Sequence, residues 1–305
     1  MKYIQIGKSN LKVSNIGIGV MRLNALDNKA AENTIRYSFE NGINFFESAD
    51  IYGKNESSIR LGQALKDANI DRSKVVLQSK GGINRNGETP EFDFSYDHLI
   101  KVVDGELKRL QTDYLDVFLL HRPDVIADMQ EIAKAFNDLQ DSRKVRNFGV
   151  SNQNPGQIEL LKKYVKQPLI TNQLQFGLGH TKMIDELIDV NTPKNTNEEL
   201  LTYSKFNEMT IQAWSPVQNG YFGGVIIDNS ELPKLNEKLQ KIADKYGVSK
   251  TAIAIAWILK VDSKMQVISG STSINHIQET IEGSEIELTR SEWYELYYAS
   301  KDKAV

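Results

Sequence analysis

Short apolar runs alternate with longer stretches of helical spacing along most of the chain. Runs with the length and composition of buried parallel strands fall at 16–19, 44–47, 75–80, 115–121, 147–151, 169–173, 210–214 and 266–269, eight in all. Between them, apolar residues recur with a helical period at 31–41, 96–110, 129–142, 155–164 and 235–246, and several of these stretches open on Asp, Asn or Ser, residues that cap a helix. Strand then helix, repeated eight times, predicts a closed (β/α)8 (TIM) barrel. An open doubly wound sheet with a small second domain is the alternative, but no Pro/Gly/Ser-rich linker interrupts the pattern. We therefore expect one barrel domain over residues 1–305, although a length of 305 residues would also suit two domains at ~150 residues each. Before the first strand, residues 3–6 and 11–13 flank Gly7-Lys8-Ser9-Asn10 and predict an N-terminal β-hairpin that plugs the barrel bottom. Two further helical stretches, 250–259 and 290–299, are extra to the eightfold repeat.

Composition narrows the classes. Hydrophobic residues make up 40% and charged residues 25%, which excludes a disordered or fibrous chain. A net charge of −3 without a basic stripe gives no electrostatic support for a nucleic-acid partner or an acidic membrane surface. There is no cysteine, so disulfides and thiolate metal sites are excluded. No apolar run approaches the ~20 residues needed to span a bilayer, and the first twenty residues lack a basic patch followed by an apolar core. These features predict a cytoplasmic protein.

The candidate chemistry sits at strand ends. The second run ends in Glu47, followed by Asp50 and Tyr52; the third ends in Lys80; the fourth ends in His121. Barrel strands are parallel, so their carboxyl ends share one rim, where these groups would converge. Taken singly, a strand-end His or Lys is commonly a bonded structural residue or a solvated charge, and it is the coincidence of four groups that points to a site.

The chain resembles the aldo-keto reductase superfamily, of the bacterial oxidoreductase type, from the hairpin to about residue 282. The carrying segments are Phe46-Glu47-Ser48-Ala49-Asp50-Ile51-Tyr52-Gly53, Gln78-Ser79-Lys80, Leu110-Gln111-Thr112-Asp113-Tyr114-Leu115-Asp116, Leu120-His121-Arg122-Pro123-Asp124, residues 144–152, Asn172-Gln173 and Ala213-Trp214-Ser215-Pro216. The resemblance implies reduction of aldehyde or ketone carbonyls to alcohols with NADP(H), NAD(H) being possible, bound extended across the rim. No Rossmann domain is implied, and no GxGxxG follows a strand. It implies Tyr52 as proton donor, Lys80 as the cation lowering its pKa from the free phenol value of ~10, His121 as the group orienting the carbonyl, and Glu47 as partner of Lys80. No metal is required. For the cofactor it implies Met21, with Ser151, Asn152, Gln173 and Trp214 at the nicotinamide and Ser215, Val217 and Asn219 along the pyrophosphate. Gly270, Ser271, Thr272, His276 and Glu279 fall at the adenosine end, where a loop opening a helix offers N–H groups to an anion. The partner is a small carbonyl compound, and the protein is expected to be a monomer or weak oligomer.

Two positions depart from the family. Glu47 stands where Asp is usual, one methylene longer, so that either the ammonium shifts or the glutamate bends. Gly270, Ser273 and His276 stand where Lys or Arg usually grip a 2′-phosphate, and a neutral His cannot reproduce a bidentate guanidinium contact. For the substrate pocket, Phe92, Phe94, Tyr221, Phe222 and Met21 are the apolar candidates on rim loops. Two rival readings stand beside reduction: a nucleotide-binding regulatory barrel with little turnover, and a lyase using Lys80 as a Schiff base, which needs that lysine away from a carboxylate.

Overall fold

The computed structural model describes residues 1–85, 87, 89–188, 199–220 and 223–301. In chain order the elements are β1 (Tyr3–Gln5), β2 (Lys12–Ser14), β3 (Ile16–Gly19), α1 (Asn28–Glu40), β4 (Phe45–Glu47), α2 (Glu56–Asp67), β5 (Val76–Gly81), β6 (Ile83–Asn84), β7 (Glu91–Phe92), α3 (Tyr96–Leu110) and β8 (Leu115–Leu120). There follow α4 (Met129–Asp141), β9 (Val145–Ser151), α5 (Pro155–Lys162), β10 (Leu169–Gln175), α6 (Lys182–Ile188), α7 (Leu200–Phe206), β11 (Thr210–Trp214), α8 (Pro233–Tyr246), α9 (Lys250–Leu259), β12 (Gln266–Ser269), α10 (Ile274–Glu285) and α11 (Arg290–Ala299).

Eight of the strands close a barrel in the order β3-β4-β5-β8-β9-β10-β11-β12, every neighbouring pair parallel. These are the eight expected runs, and the (β/α)8 barrel holds. Such strands are buried on both faces, one toward the lumen and one toward the helices, which is why they read as continuous apolar runs rather than as alternation. The helices follow their caps: Asp27, Ser95, Asp128, Asn154, Ser249 and Thr289 each accept a first-turn N–H.

The hairpin β1–β2 sits under the barrel. Ile6 and Val13 are fully buried against Phe45, Val76, Val117, Leu119, Ile170 and Ile268, which form an apolar floor. Above that floor the lumen is polar. Gln266 donates to the Ser14 carbonyl (2.8 Å), Gln212 donates to Gln266 (2.8 Å), and Gln78 donates to Gln212 (2.9 Å). Four glutamines of the lumen, these three and Gln173, are 2% exposed or less, and their amides bond one another in place of water, with Gln78 Oε1 left without a partner.

The two helices outside the repeat are α9 and α11, as expected. They are held by Trp257 and Trp293, whose rings stack 5.0 Å apart and whose indole N–H groups each donate to the other's backbone carbonyl at 3.0 Å. The structure adds a second hairpin, β6–β7, where the sequence suggested only a loop. It also adds α6 and α7 between β10 and β11, too short for the periodicity to mark. Among the described residues, no helix is long and apolar enough to cross a membrane.

Gly7 joins hairpin to floor. Its φ is +49°, its N–H donates to Thr210 Oγ1 at 2.9 Å, and a Cβ there would stand 2.2 Å from the Ile170 carbonyl oxygen. Both backbone strain and a backbone clash oppose any side chain. Gly7→Ala is expected to cost about 2–4 kcal/mol of unfolding free energy in a urea titration, and a variant of parental stability would show that the plug does not bear on the floor.

Candidate active site

Four side chains from three successive strand ends meet at the carboxyl rim. Lys80, the fifth residue of β5, is fully buried and forms an ion pair with Glu47 Oε1 at the end of β4. Its ammonium also donates to the Ser48 carbonyl at 3.0 Å. Tyr52 opens a short 3-10 turn after β4, and its ring lies 4.7 Å from the Lys80 ammonium, measured to the centroid. His121 directly follows β8, its N–H bonded to the Gly81 carbonyl at 2.9 Å, and its ring meets Tyr52 edge-on with centroids 5.8 Å apart.

Local backbone explains why Tyr52 faces this cluster. Gly53, Lys54 and Asn55 all have positive φ, so the chain reverses sharply before α2 begins at Glu56. Gly53 has no room for a side chain, since a Cβ would lie 2.6 Å from Asn24 Cγ. The longer glutamate at 47 is accommodated in a similar way. Gly19 pairs with Glu47 across β3–β4, and a Cβ at 19 would stand 2.9 Å from Glu47 Oε2. Gln173 donates to Glu47 Oε1 at 3.3 Å and to Gln212 at 3.4 Å, which joins the carboxylate to the lumen amides.

The electrostatics are dominated by burial. Desolvation carries the Lys80 pKa well below that of a free lysine, opposed by the charge of Glu106. His121 is held well below the usual imidazole range by burial, then by Lys80, Arg122 and Arg85, so it is neutral at ordinary pH; its Nδ1 has no hydrogen-bond partner. Tyr52 corrects an expectation: desolvation raises its pKa above the free phenol value, with Arg122 pulling down and Asp50 pushing up. Lys80 was expected to lower it, but burial of the phenol outweighs neighbouring positive charge. Asp50, buried with Oδ1 unpartnered, is pushed up to about 7 by desolvation and then by Glu106.

The residues singled out for a cofactor lie along the same rim. Ser151 donates to the Gln173 carbonyl (3.0 Å), and Asn152, at φ +57°, donates to Ser151 Oγ (2.8 Å) and the His121 carbonyl (3.4 Å) while accepting from Trp214 Nε1 (3.2 Å). Ser151, Asn152, Gln173 and Trp214 thus form one bonded group beside the catalytic candidates. Gln173 turns its amide N–H toward Glu47 and Gln212. Ser215, at φ +52°, Val217 and Asn219 shape the loop after β11, where Gln218 N bonds Ser215 O, Ile226 N bonds Val217 O and Asn219 N bonds Gly224 O. Met21 is exposed on the loop after β3.

At the far end, Gly270, Ser271 and Thr272 lead from β12 into α10. Ser271 Oγ accepts from Ser273 N (3.1 Å), and no side chain caps the first turn of α10. His276 is exposed on that turn, and Glu279 has one buried carboxylate oxygen without a partner. A cation that the motifs did not single out lies here. Arg22 Nη1 is 3.4 Å from the Gly270 carbonyl and 3.2 Å from where a Cβ at 270 would be, so the missing side chain leaves room for a guanidinium from the neighbouring strand's loop. Its sequence signal was only proximity to Met21.

Of the pocket candidates, Phe92 is exposed on β7, but Phe94 is 2% exposed and packs on Gly82, where a Cβ would lie 2.2 Å from its ring. Phe94 is therefore a core residue, because its N–H is tied to Asp124 and its ring fills the space that Gly82 leaves. Tyr221 and Phe222 lie outside the described residues.

Comparison with known proteins places this geometry. The chain is 30% identical over 275 residues to a 6-dehydroglucose reductase of Agrobacterium fabrum, covering 87% of this chain and 85% of the relative. It is 30% identical over 266 residues to the oxidoreductase YdhF of Escherichia coli, covering 85% and 83%. An aldo/keto reductase from Klebsiella pneumoniae, solved in complex with NADP and acetate, shares the fold with a TM-score of 0.79 at 21% identity, over 97% of this chain and 94% of that one. The family model described as Aldo/keto reductase family matches residues 15–300, starting after the hairpin and running through α11, further than the motifs indicated. The chain belongs to the aldo/keto reductase family and is an oxidoreductase of carbonyl compounds.

Proposed function

We propose that the protein reduces aldehyde or ketone groups of small molecules to alcohols at the expense of NADPH, with Tyr52 as the proton donor. The observation that carries this reading is the meeting of Tyr52, His121 and the Lys80–Glu47 pair within one small volume at the carboxyl rim. A bound nicotinamide cofactor supplies hydride to the carbonyl carbon. The protein's residues supply the rest. The raised pKa of Tyr52 keeps its phenol protonated across the ordinary pH range, and its acidity is called on only when negative charge grows on the substrate oxygen. His121, neutral, donates a ring N–H hydrogen bond to that oxygen. Lys80 stabilises the phenolate that Tyr52 becomes, and Glu47 keeps the ammonium charged in a dry site. Lys80 is bonded to a carboxylate and a carbonyl, an arrangement that suits a fixed cation and not a Schiff-base nucleophile.

The rim residues fit the cofactor. Ser151, Asn152, Gln173 and Trp214 would hold the nicotinamide end, with Met21 nearby. Ser215, Val217 and Asn219 would follow the pyrophosphate, and Gly270, Ser271, Thr272, His276 and Glu279 would meet the adenosine end. The first-turn N–H groups of α10 and the guanidinium of Arg22 favour an anion there, so Arg22 takes the part of the cation missing at 270.

Tyr52→Phe is expected to lower kcat for a reactive aldehyde by about a hundred- to ten-thousandfold while leaving NADPH affinity within about twofold. Parental turnover by this variant would remove Tyr52 from the role of acid.

Glu47→Gln is expected to reduce kcat more than Glu47→Asp does, because only the latter retains the charge that pairs with Lys80. Equal kcat and equal pH profiles in the parent and both variants would show that the ion pair is irrelevant to the chemistry.

Cofactor choice should follow the cations. Charge-assisted hydrogen bonds contribute ~1.5–3 kcal/mol, so Arg22→Ala should weaken NADPH about tenfold or more and NADH little, and His276→Arg should sharpen the preference for NADPH. Titrating both nucleotides by quenching of protein fluorescence checks this; an unchanged NADPH:NADH ratio in Arg22→Ala would place the 2′-phosphate elsewhere.

A further inference from the structure

Across the barrel wall from the Lys80–Glu47 pair, on the helix side, lies a second carboxylate with no part in the chemistry described so far. Glu106 projects from α3 toward the barrel wall and is completely buried. Its Oε2 accepts from Ser79 Oγ at 2.5 Å and from Ser58 Oγ at 2.9 Å, and its Oε1 accepts from Arg109 Nε at 2.8 Å. Ser58 Oγ lies 2.7 Å from Ser48 Oγ. A hydroxyl has one proton, and that of Ser58 is given to the carboxylate, so Ser48 must be the donor in the second contact. The chain Ser48 to Ser58 to Glu106 therefore has one direction, set by the ionised carboxylate. Ser48, Ser58 and Ser79 are all fully buried, so none of these bonds competes with water.

The positions of the serines give the network its meaning. Ser48 follows Glu47 at the end of β4, and its carbonyl is the second acceptor of the Lys80 ammonium. Ser79 precedes Lys80 in β5. Glu106 thus holds, through two hydroxyl routes, both strand ends that carry the ion pair. We propose that Glu106 is a positioning residue for Lys80: it clamps the ends of β4 and β5 in register and sets a second negative charge behind the ammonium. This rests on the reading of Lys80 as the charged partner of Tyr52.

A carboxylate is required at 106 for both tasks. An amide would have to give up either both serines or the arginine, since its NH2 end cannot accept. The charge also counts. Burial favours neutral Lys80, and Glu106 acts in the opposite direction. Glu47 from β4 and Tyr52 from the loop after it lie against the ammonium, and His121 from the loop after β8 feels its charge; Arg122 and Arg85 act on His121, and Arg122 and Asp50 act on Tyr52. Arg109 offsets part of the charge of Glu106 from the same helix, 2.8 Å away and part-exposed.

The test compares Glu106→Gln, Glu106→Asp and Lys80→Met, with kcat and KM for a reactive aldehyde measured between about pH 5.5 and 9.5, and nucleotide binding as a check on folding. Glu106→Gln is expected to lower kcat about tenfold with KM within about twofold, and to move the alkaline limb of kcat down by about one pH unit, because Lys80 loses its proton sooner. Glu106→Asp should return the limb toward its parental position. Glu106→Gln with parental kcat and limb overturns the proposal, even if its Tm falls. If Glu106→Gln does not fold, Ser58→Ala/Ser79→Ala keeps the charge and removes both routes: a lower kcat at an unmoved limb supports the clamp, and parental kcat overturns it. Lys80→Met separates this idea from its premise. Parental activity in Lys80→Met refutes the role given to Lys80, whereas loss of activity there with a fully active Glu106→Gln refutes only the role given to Glu106.

Discussion

A lysine ammonium with no exposed surface is the constraint around which this site is arranged. Removing such a charge from water costs several kcal/mol, about the size of a domain's whole stability margin, unless a fixed counter-charge and hydrogen bonds replace the solvent. Here Glu47 supplies the counter-charge and the Ser48 carbonyl a further acceptor. Each of these is then held by something else. Glu47 is braced by Gln173 and has space because residue 19 is glycine, and Ser48 is bonded through its hydroxyl to Ser58. Half-satisfied buried networks are costly, and the cost of the one cation is met by satisfaction spread over β3, β4, β5, β10, α2 and α3.

The barrel lumen serves the same end. Small (β/α)8 lumens are ordinarily filled by branched apolar side chains. The floor of this one is, with Ile6 and Val13 of the hairpin pressed against Phe45 and Ile170, but the layer above is glutamine. Amides joined from the Ser14 carbonyl through Gln266 and Gln212 to Gln173 and Glu47 carry polarity up to the rim without water. The apolar floor keeps solvent from entering below, which lets the pKa values of Lys80, His121 and Tyr52 depart so far from their solution values. Around the rim the cofactor candidates differ in kind. Ser151, Asn152 and Trp214 are locked to one another, whereas Arg22, His276 and Met21 keep much of their surface in solvent.

The chain by itself determined the architecture. Eight apolar runs separated by capped helical stretches admit little besides a closed parallel barrel, because each run must be buried on two faces and each amphipathic helix on one. The runs at 16–19, 210–214 and 266–269, and the helix at 96–110, match the structure at both ends, and in each Gly, Pro or a capping Ser lies at or near one of the two boundaries. Tyr52, Lys80 and His121 were legible because strand ends of a barrel share a rim, so a polar residue closing an apolar run has a known address. What only the tertiary structure decided depends on partners distant in sequence. That Phe94 packs on Gly82, that Gly19 makes room for Glu47, and that Arg22 reaches Gly270 are pairings across elements, which periodicity does not carry. The direction of the Tyr52 shift is of the same kind: the sequence offers a neighbouring cation, but desolvation depends on everything packed around the hydroxyl. Glu106 lies between. A charge at the apolar spacing of Leu99, Val102, Val103 and Leu110 signals a buried carboxylate, yet only the fold brings Ser58 and Ser79 to it, from a helix and a strand that the chain reaches 48 and 27 residues earlier.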